Sequence, residues 1–242
     1  MVNIINPISN ILFMKKPIIH LENVWKTYNM GSEQIHALRG INLDVFEGDF
    51  VAVQGPSGSG KSTAMNCIGC LDIPSKGTIY LDGHDISRLS ESKLAQIRGR
   101  KIGFIFQKFN LIPTLTALEN VMLPMTFQNI SEHERKKRGN TLLIKFGLGD
   151  RINHKPNELS GGQQQRVAIA RSLALDPPVI LADEPTGNLD SKTGNEVMAF
   201  LRKLNTKEKK TIVLVTHDDN LAKHADTIKF LKDGCIINNR KK

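Results

Sequence analysis

The sequence predicts a mixed α/β fold: a buried parallel-sheet core carrying a phosphate-binding loop, an N-terminal antiparallel β subdomain and an inserted α-helical subdomain. Three observations predict it. Phe50 to Gln54 is a short apolar, β-branched run that leads straight into Gly55-Pro56-Ser57-Gly58-Ser59-Gly60-Lys61-Ser62-Thr63, and Ser62 to Cys70 then reads as a helix. Two further runs of the same kind, Pro178 to Ala182 and Thr211 to Thr216, are each followed by ionisable residues. Residues 108–158 instead place apolar side chains at helical spacing.

In chain order, Ile18 to Val24 alternates as a strand, and Ala37 to Val45 reads as a second with Ile41, Leu43 and Val45 on one face. Together they suggest the small antiparallel sheet. Tyr28 follows the first strand, where it is either an aromatic platform for a base or an ordinary strand-end tyrosine. Residues 55–63 fit G-x-x-x-x-G-K-[ST] at every fixed position. The glycines let the backbone curl with its amides inward, and the helix behind adds a partial positive charge, so the loop suits phosphate. In such a loop Lys61 reaches the β- and γ-phosphates and the Ser62 hydroxyl ligates Mg²⁺.

After the helix come a turn at Pro74 to Gly77, a strand at Thr78 to Leu81, and a basic amphipathic helix at Glu91 to Arg98. Ile102 to Phe106 is apolar and ends at Gln107, whose amide either meets a metal or attacking water or merely ends a strand. In the segment that follows, Leu118, Val121, Met122 and Met125, then Leu142, Leu143, Phe146 and Leu148, mark helices around an exposed, charged stretch at Glu132 to Arg138. It holds no catalytic cluster and reads as a surface for a partner.

Ser160-Gly161-Gly162-Gln163 opens another helix, whose apolar stripe is Val167, Ala170, Leu173 and Ala174. Ser160 either simply caps that helix or, with the two glycines, offers a second phosphate site. The strand from Pro178 ends in Asp183, placed to hold Mg²⁺, and Glu184, placed to accept a proton from water. Two adjacent carboxylates at a buried strand end would be costly without a cation or proton nearby. His217 follows Thr216 and would face the same ligand, and Asp190 closes the loop after Glu184. Residues 226–231 and 235–238 look like an edge hairpin turning at Asp233-Gly234.

The net charge of +9 suits a polyanionic ligand, acidic lipid or nucleic acid, but one tryptophan and two tyrosines supply no base-stacking segment, so no nucleic acid is expected. Three cysteines argue for a reducing compartment, and Cys67 and Cys70, without a second ligand pair, read as small buried residues rather than zinc ligands. No apolar run approaches the ~20 residues of a membrane span.

With the phosphate loop, Leu159-Ser160-Gly161-Gly162-Gln163, Asp183, Glu184 and His217 in this order, the chain resembles an ATP-binding-cassette (ABC) ATPase over about residues 18–238. The resemblance implies a P-loop NTPase (RecA-like) core, with residues 1–17 as an extension and 18–242 as one nucleotide-binding domain whose helical part covers roughly 108–175. It implies ATP and Mg²⁺ as ligands. Tyr28 would stack on adenine, and Ser62, Gln107 and Asp183 (through water) would hold the metal, with Gln107 also sensing the attacking water. It further implies an ATP-dependent, head-to-tail homodimer, in which Ser160, Gly161, Gly162 and Gln163 touch the partner's ATP and Asp190 couples the two sites. His217 would contact the γ-phosphate and orient the water of Glu184.

Residues 69–72, 106–113, 116–121 and 160–166 are similar to the ATPase subunits of macrolide-export and lipoprotein-release transporters. That implies an integral membrane permease as partner and a cytoplasmic location at the inner face of the membrane. An ATP-gated signalling or cell-division scaffold, with a membrane partner but no transported substrate, is the alternative.

Overall fold

Two sheets organise the chain, and the computed structural model describes residues 16–241 of it. The first is antiparallel. Strand β1 (Ile19–Met30) pairs on one side with β2 (Glu33–Val45) and on the other with β4 (Lys76–Leu81), which in turn pairs with β5 (His84–Asp85). The sequence suggested that β1 stops at Val24, yet pairing continues to Met30 across register shifts between Leu21 and Thr27. Those bulges break the period-2 pattern that marks a strand in sequence. One bulge residue, Asn23, has φ 46°, and a Cβ on Gly77 would lie 2.2 Å from the Asn23 carbonyl oxygen. Only glycine lets β4 begin so close to the bulge, which is why the expected Pro74–Gly77 turn already enters the strand.

The second sheet has the order β10-β9-β3-β8-β7-β6, with β3 at Phe50–Gln54, β6 at Ile102–Ile105, β7 at Val179–Asp183, β8 at Thr211–Thr216, β9 at Thr227–Lys232 and β10 at Cys235–Lys241. All its pairings are parallel except β9 with β10. Every residue of β3 and β8 is buried, as continuous apolar runs covered on both faces should be. Alternation divides them between two cores. Phe50, Ala52, Ile180, Ala182, Ile212 and Leu214 join one cluster, and Val51, Val53, Val179, Leu181, Val213 and Val215 join the other. The expected edge hairpin is an edge only at β10, because β9 pairs in parallel with β3.

On the first face lie α3 (Ala117–Thr126), α4 (Glu132–Lys145), α5 (Gly161–Ser172) and α6 (Ser191–Glu208), supplying Val121, Leu143, Val167 and Leu201 to the core. The other face packs on the antiparallel sheet with α1 (Lys61–Ile68) and α2 (Glu91–Lys101), through Met65, Ile68 and Leu94. Cys67 and Cys70 are fully buried there, and burial pushes their thiols up to about 12 and about 11. They are inert packing residues, as the sequence suggested. Among the described residues no helix is long and apolar enough to cross a membrane. Residues 1–15 lie outside the described residues, so most of the expected extension is untouched by these observations.

One buried amide fixes the loop that leaves the core sheet. Asn120 is fully buried in α3; its side-chain oxygen accepts from the Ile112 N–H at 2.8 Å, and its Nδ2 donates to the carbonyls of Ile112, Leu115 and Thr116 at 3.0–3.1 Å. Asn120→Leu would leave these loop groups without a partner, so we expect it to cost about 2–3 kcal/mol in urea unfolding.

Candidate active site

Parallel pairing puts the C-terminal ends of β3, β7 and β8 on one rim: Gln54 lies opposite Thr216, and Asp183 opposite Val215. The residues that follow each strand therefore converge, the usual position of a ligand site in an open parallel sheet. A cleft of about 1380 Å³ opens there, lined by residues 54–58 and 60–63, Gln107, Asp183, Glu184 and His217. It brings together four sequence segments more than 30 residues apart.

The loop from Gly55 to Thr63 is wrapped so tightly at Gly55 and Gly60 that a side chain is excluded at each. A Cβ on Gly55 would lie 2.0 Å from the Leu231 carbonyl oxygen, and one on Gly60, at φ 100°, 2.4 Å from that of Ala37. Gly60 caps α1 without any side-chain hydrogen bond, which leaves the first amides of the helix for an outside acceptor. The buried Ser59 hydroxyl has no hydrogen-bond partner among the described residues. Lys61 is only 7% exposed and its ammonium folds back 2.7 Å onto the Pro56 carbonyl. A loop with free amides, an orphan hydroxyl and a buried ammonium is built for an anion.

Opposite stand the acids. Ser62 Oγ donates to Asp183 Oδ2 at 3.4 Å. Burial, and then the neighbouring Glu184 carboxylate, raise the Asp183 pKa above its ordinary value. A hydroxyl and a carboxylate short of positive charge fit a hard divalent cation. Glu184 sits at φ 43°, a left-handed conformation uncommon for glutamate, held by its N–H to the Val215 carbonyl at 2.9 Å and by Gly187 N–H to its own carbonyl at 3.0 Å. That conformation aims its carboxylate at His217, with Oε1 2.5 Å from Nδ1.

Gln107 reaches the cleft from the end of β6 and is fastened to the loop after Glu184. Asn188 Nδ2 donates to the Gln107 carbonyl at 2.8 Å, and a Cβ on Gly187 would come within 2.6 Å of Gln107 Nε2. Asp190 lies outside the cleft as the N-cap of α6, accepting from Thr193 N at 3.0 Å and Thr193 Oγ1 at 2.6 Å, hydrogen bonds that lower its pKa.

Besides Asp190, two further groups of sequence-selected residues are not brought into this cleft. Ser160, Gly161, Gly162 and Gln163 stand at the start of α5, where Ser160 Oγ accepts from Gln163 N and Gln163 Oε1 from Ser160 N in a reciprocal cap. Tyr28 does not line it either. The Lys26 ammonium lies 5.0 Å from its ring centroid, and its hydroxyl donates to Asp72 Oδ2 at 2.8 Å; burial, and then Asp72, push the phenol up to about 12. Its cross-strand partner Ile35 does line the cleft, one pairing away.

Sequence reading missed the far wall: His36 and Arg39 from β2, Phe230 and Lys232 from β9, and Asp233 and Gly234 from the turn that follows it. Gly234 N–H donates to the Ser59 carbonyl and Arg39 N–H to that of Gly234, tying the turn to the loop. No local signal could have found this. Asp233-Gly234 announces a turn but not what the turn rests on.

A profile of the ABC transporter family matches residues 38–187. An ABC transporter ATP-binding protein of Methanocaldococcus jannaschii, MJ0796, is 57% identical over 221 residues, covering 90% of this chain and 94% of that one. A macrolide export ATP-binding/permease protein, MacB, of Shewanella oneidensis is 48% identical over 93% of this chain, which spans only 34% of that protein. Among solved structures, MJ0796 as a dimer in a post-hydrolysis state bound to ADP and Pi aligns with TM-score 0.86 and 54% identity, over 92% of this chain and 98% of that one. On fold, cleft and kinship together, the chain belongs to the ABC transporter ATP-binding family and is an ATP-binding, ATP-hydrolysing cassette.

Proposed function

We propose that this cassette binds Mg·ATP in the cleft behind β3, closes on a second copy of itself, and spends the hydrolysis step to drive a membrane permease. One observation carries the reading: a capless helix start with Lys61 faces Asp183, Glu184 and His217 across a single cleft. The loop amides of Gly55 to Thr63 and Lys61 bind the phosphates, and Tyr28, with Ile35 beside it, supports the adenine. Ser62, Gln107 and Asp183, the last through water, would hold Mg²⁺, which would supply positive charge to offset the charge developing on the phosphates. Glu184 accepts the proton of the attacking water, and His217 orients that carboxylate and the γ-phosphate.

The start of α5 has no place in its own cleft. In the dimer, Ser160, Gly161, Gly162 and Gln163 complete the partner's site instead, and Asp190 couples the two. That MJ0796 forms a dimer in its ADP- and Pi-bound state supports the pairing of two copies. Light scattering of the Glu184→Gln protein with and without Mg·ATP tests it: a doubling of mass with Mg·ATP is expected, and a single-chain mass in both conditions at micromolar concentration would overturn it.

The permease contact is assigned to the helical side, and with it a peripheral location at the inner face of the membrane. Between α2, β6 and the end of α3 runs a groove of about 750 Å³. Phe104 and Phe106 stack along it at 5.4 Å, and Phe127 stands 75% exposed at its edge. An exposed aromatic beside an apolar groove is a typical anchor for a partner segment. Phe127→Ala should leave the hydrolysis rate of the isolated chain unchanged, yet cut permease-stimulated hydrolysis in vesicles by about tenfold.

A further inference from the structure

We infer that Gln165 is a positioning residue that transmits the state of the α5 start to Glu184. In the dimer proposed above, on which this inference rests, that makes Gln165 a link between one ATP site and the other. Gln165 is fully buried on α5, two residues beyond Gln163. Its Nε2 donates to the Pro185 carbonyl at 2.6 Å, while its Oε1 is buried with no hydrogen-bond partner among the described residues. The acceptor fixes which end of the amide faces it, since only the NH₂ end can meet a carbonyl.

A half-satisfied amide is a poor way to stabilise a core. Leaving one polar end unpaired costs about as much as the other end gains, so an apolar side chain of the same shape would serve packing as well. The hydrogen bond has a more specific use. Pro185 immediately follows Glu184, which is held at φ 43°. The peptide that Gln165 grips therefore leads directly into the strained residue whose carboxylate faces His217.

The contact is also one of several joining α5 to the loop 185–190 and the start of α6 that follows it. A Cβ on Gly162 would lie 2.4 Å from Thr193 Cγ2, and one on Gly161 3.6 Å from Leu189 Cδ2. Thr193 is in turn bonded to Asp190, and Asn188 to Gln107. The helix start is thus in close contact with the loop that begins at Glu184. A shift of α5 when its N-terminus meets the partner's γ-phosphate would move Pro185 through Gln165. Gln165 touches no nucleotide in this arrangement; it acts through the Glu184–Pro185 backbone.

The test is Gln165→Met in the full-length chain, a variant that keeps the length of the side chain and removes both the donor and the orphan oxygen. The expected result is a kcat at saturating Mg·ATP reduced about tenfold, with KM within about twofold of wild type, because transition-state geometry is lost and nucleotide binding is not. The melting temperature should equal or exceed that of wild type. In the Glu184→Gln background, Q165M should still form the ATP-dependent dimer. Wild-type kcat in Q165M, or a change in KM alone, overturns the inference. Gln165→Leu is the second variant, and failure of both to fold would overturn it too, since the amide would then serve stability. Absence of the ATP-dependent dimer in Glu184→Gln alone would instead remove the dimer reading.

Discussion

Replacing Glu184 by Gln is expected to lower ATP turnover at saturating Mg·ATP by about 10²–10⁴-fold, the usual contribution of a positioned general base, while leaving nucleotide affinity within a few-fold. The substitution keeps shape and hydrogen-bonding capacity and removes only the charge and basicity. The strained φ of 43°, held by the Val215 and Gly187 contacts, belongs to the backbone and survives it. His217 Nδ1 can still donate to an amide oxygen at that position, so the rim stays assembled. Binding groups such as Lys61 and the free amides of α1 are untouched. The product of a bound, uncleaved nucleotide is a closed state that does not reset, since a ligand shifts an equilibrium only while it remains bound. Phosphate release under multiple turnover measures the rate, and equilibrium binding of a fluorescent ATP analogue measures the affinity. A residual rate within threefold of wild type would remove Glu184 from the base role.

Much of the site was legible because it is written in consecutive residues. The loop 55–63 and the Asp183–Glu184 pair each combine a local pattern with a strand that points them at the ligand, and parallel register converts three separate strand ends into one rim. The antiparallel sheet was only half legible. Alternation identified β2 from Ala37 onward, but its pairing begins at Glu33, where all of the first residues are exposed and carry no periodic signal. The bulged β1 shows the same limit from another cause, since register shifts erase the period on which the reading depends.

Long-range contacts were not legible at all. The β9–β10 turn reaches the phosphate loop only because β9 inserts beside β3, a pairing of residues 176 positions apart that depends on the whole sheet. Gln165 illustrates the same point inside a motif. Its helix and its neighbours could be read, but its buried bond to Pro185 exists only after α5 packs against the loop leaving β7. Ser160 is the converse case. Both readings of the sequence left it open, and the structure shows the cap without excluding an outward anion contact, because the cap uses the hydroxyl as acceptor and leaves its proton free.

Asp183→Asn should separate stability from function in opposite directions. In the wild-type chain Asp183 is half-buried beside Glu184, and both burial and that neighbouring charge raise its pKa from the ordinary 3.8. A raised carboxylate pKa means that the folded state holds its proton more tightly than the unfolded state does, so stability is lost as pH rises from about 4 through the folded value. Above that window the ionised pair is a standing cost. Without nucleotide and with EDTA at pH 7, D183N should therefore melt higher than wild type, by about 1–3 °C once the partial exposure of the site is allowed for. The two melting curves should converge below about pH 3, where Asp183 is neutral in both states. Adding Mg·ATP reverses the order: wild type gains the ligand's full binding energy, whereas the amide offers the cation no charge, and turnover should fall at least about 10²-fold. A D183N protein that melts lower than wild type without ligand, at every pH, would show that the Ser62–Asp183 contact outweighs the charge repulsion. Calorimetric melting from about pH 2 to pH 8, with and without Mg·ATP, reads both halves of this prediction in one series.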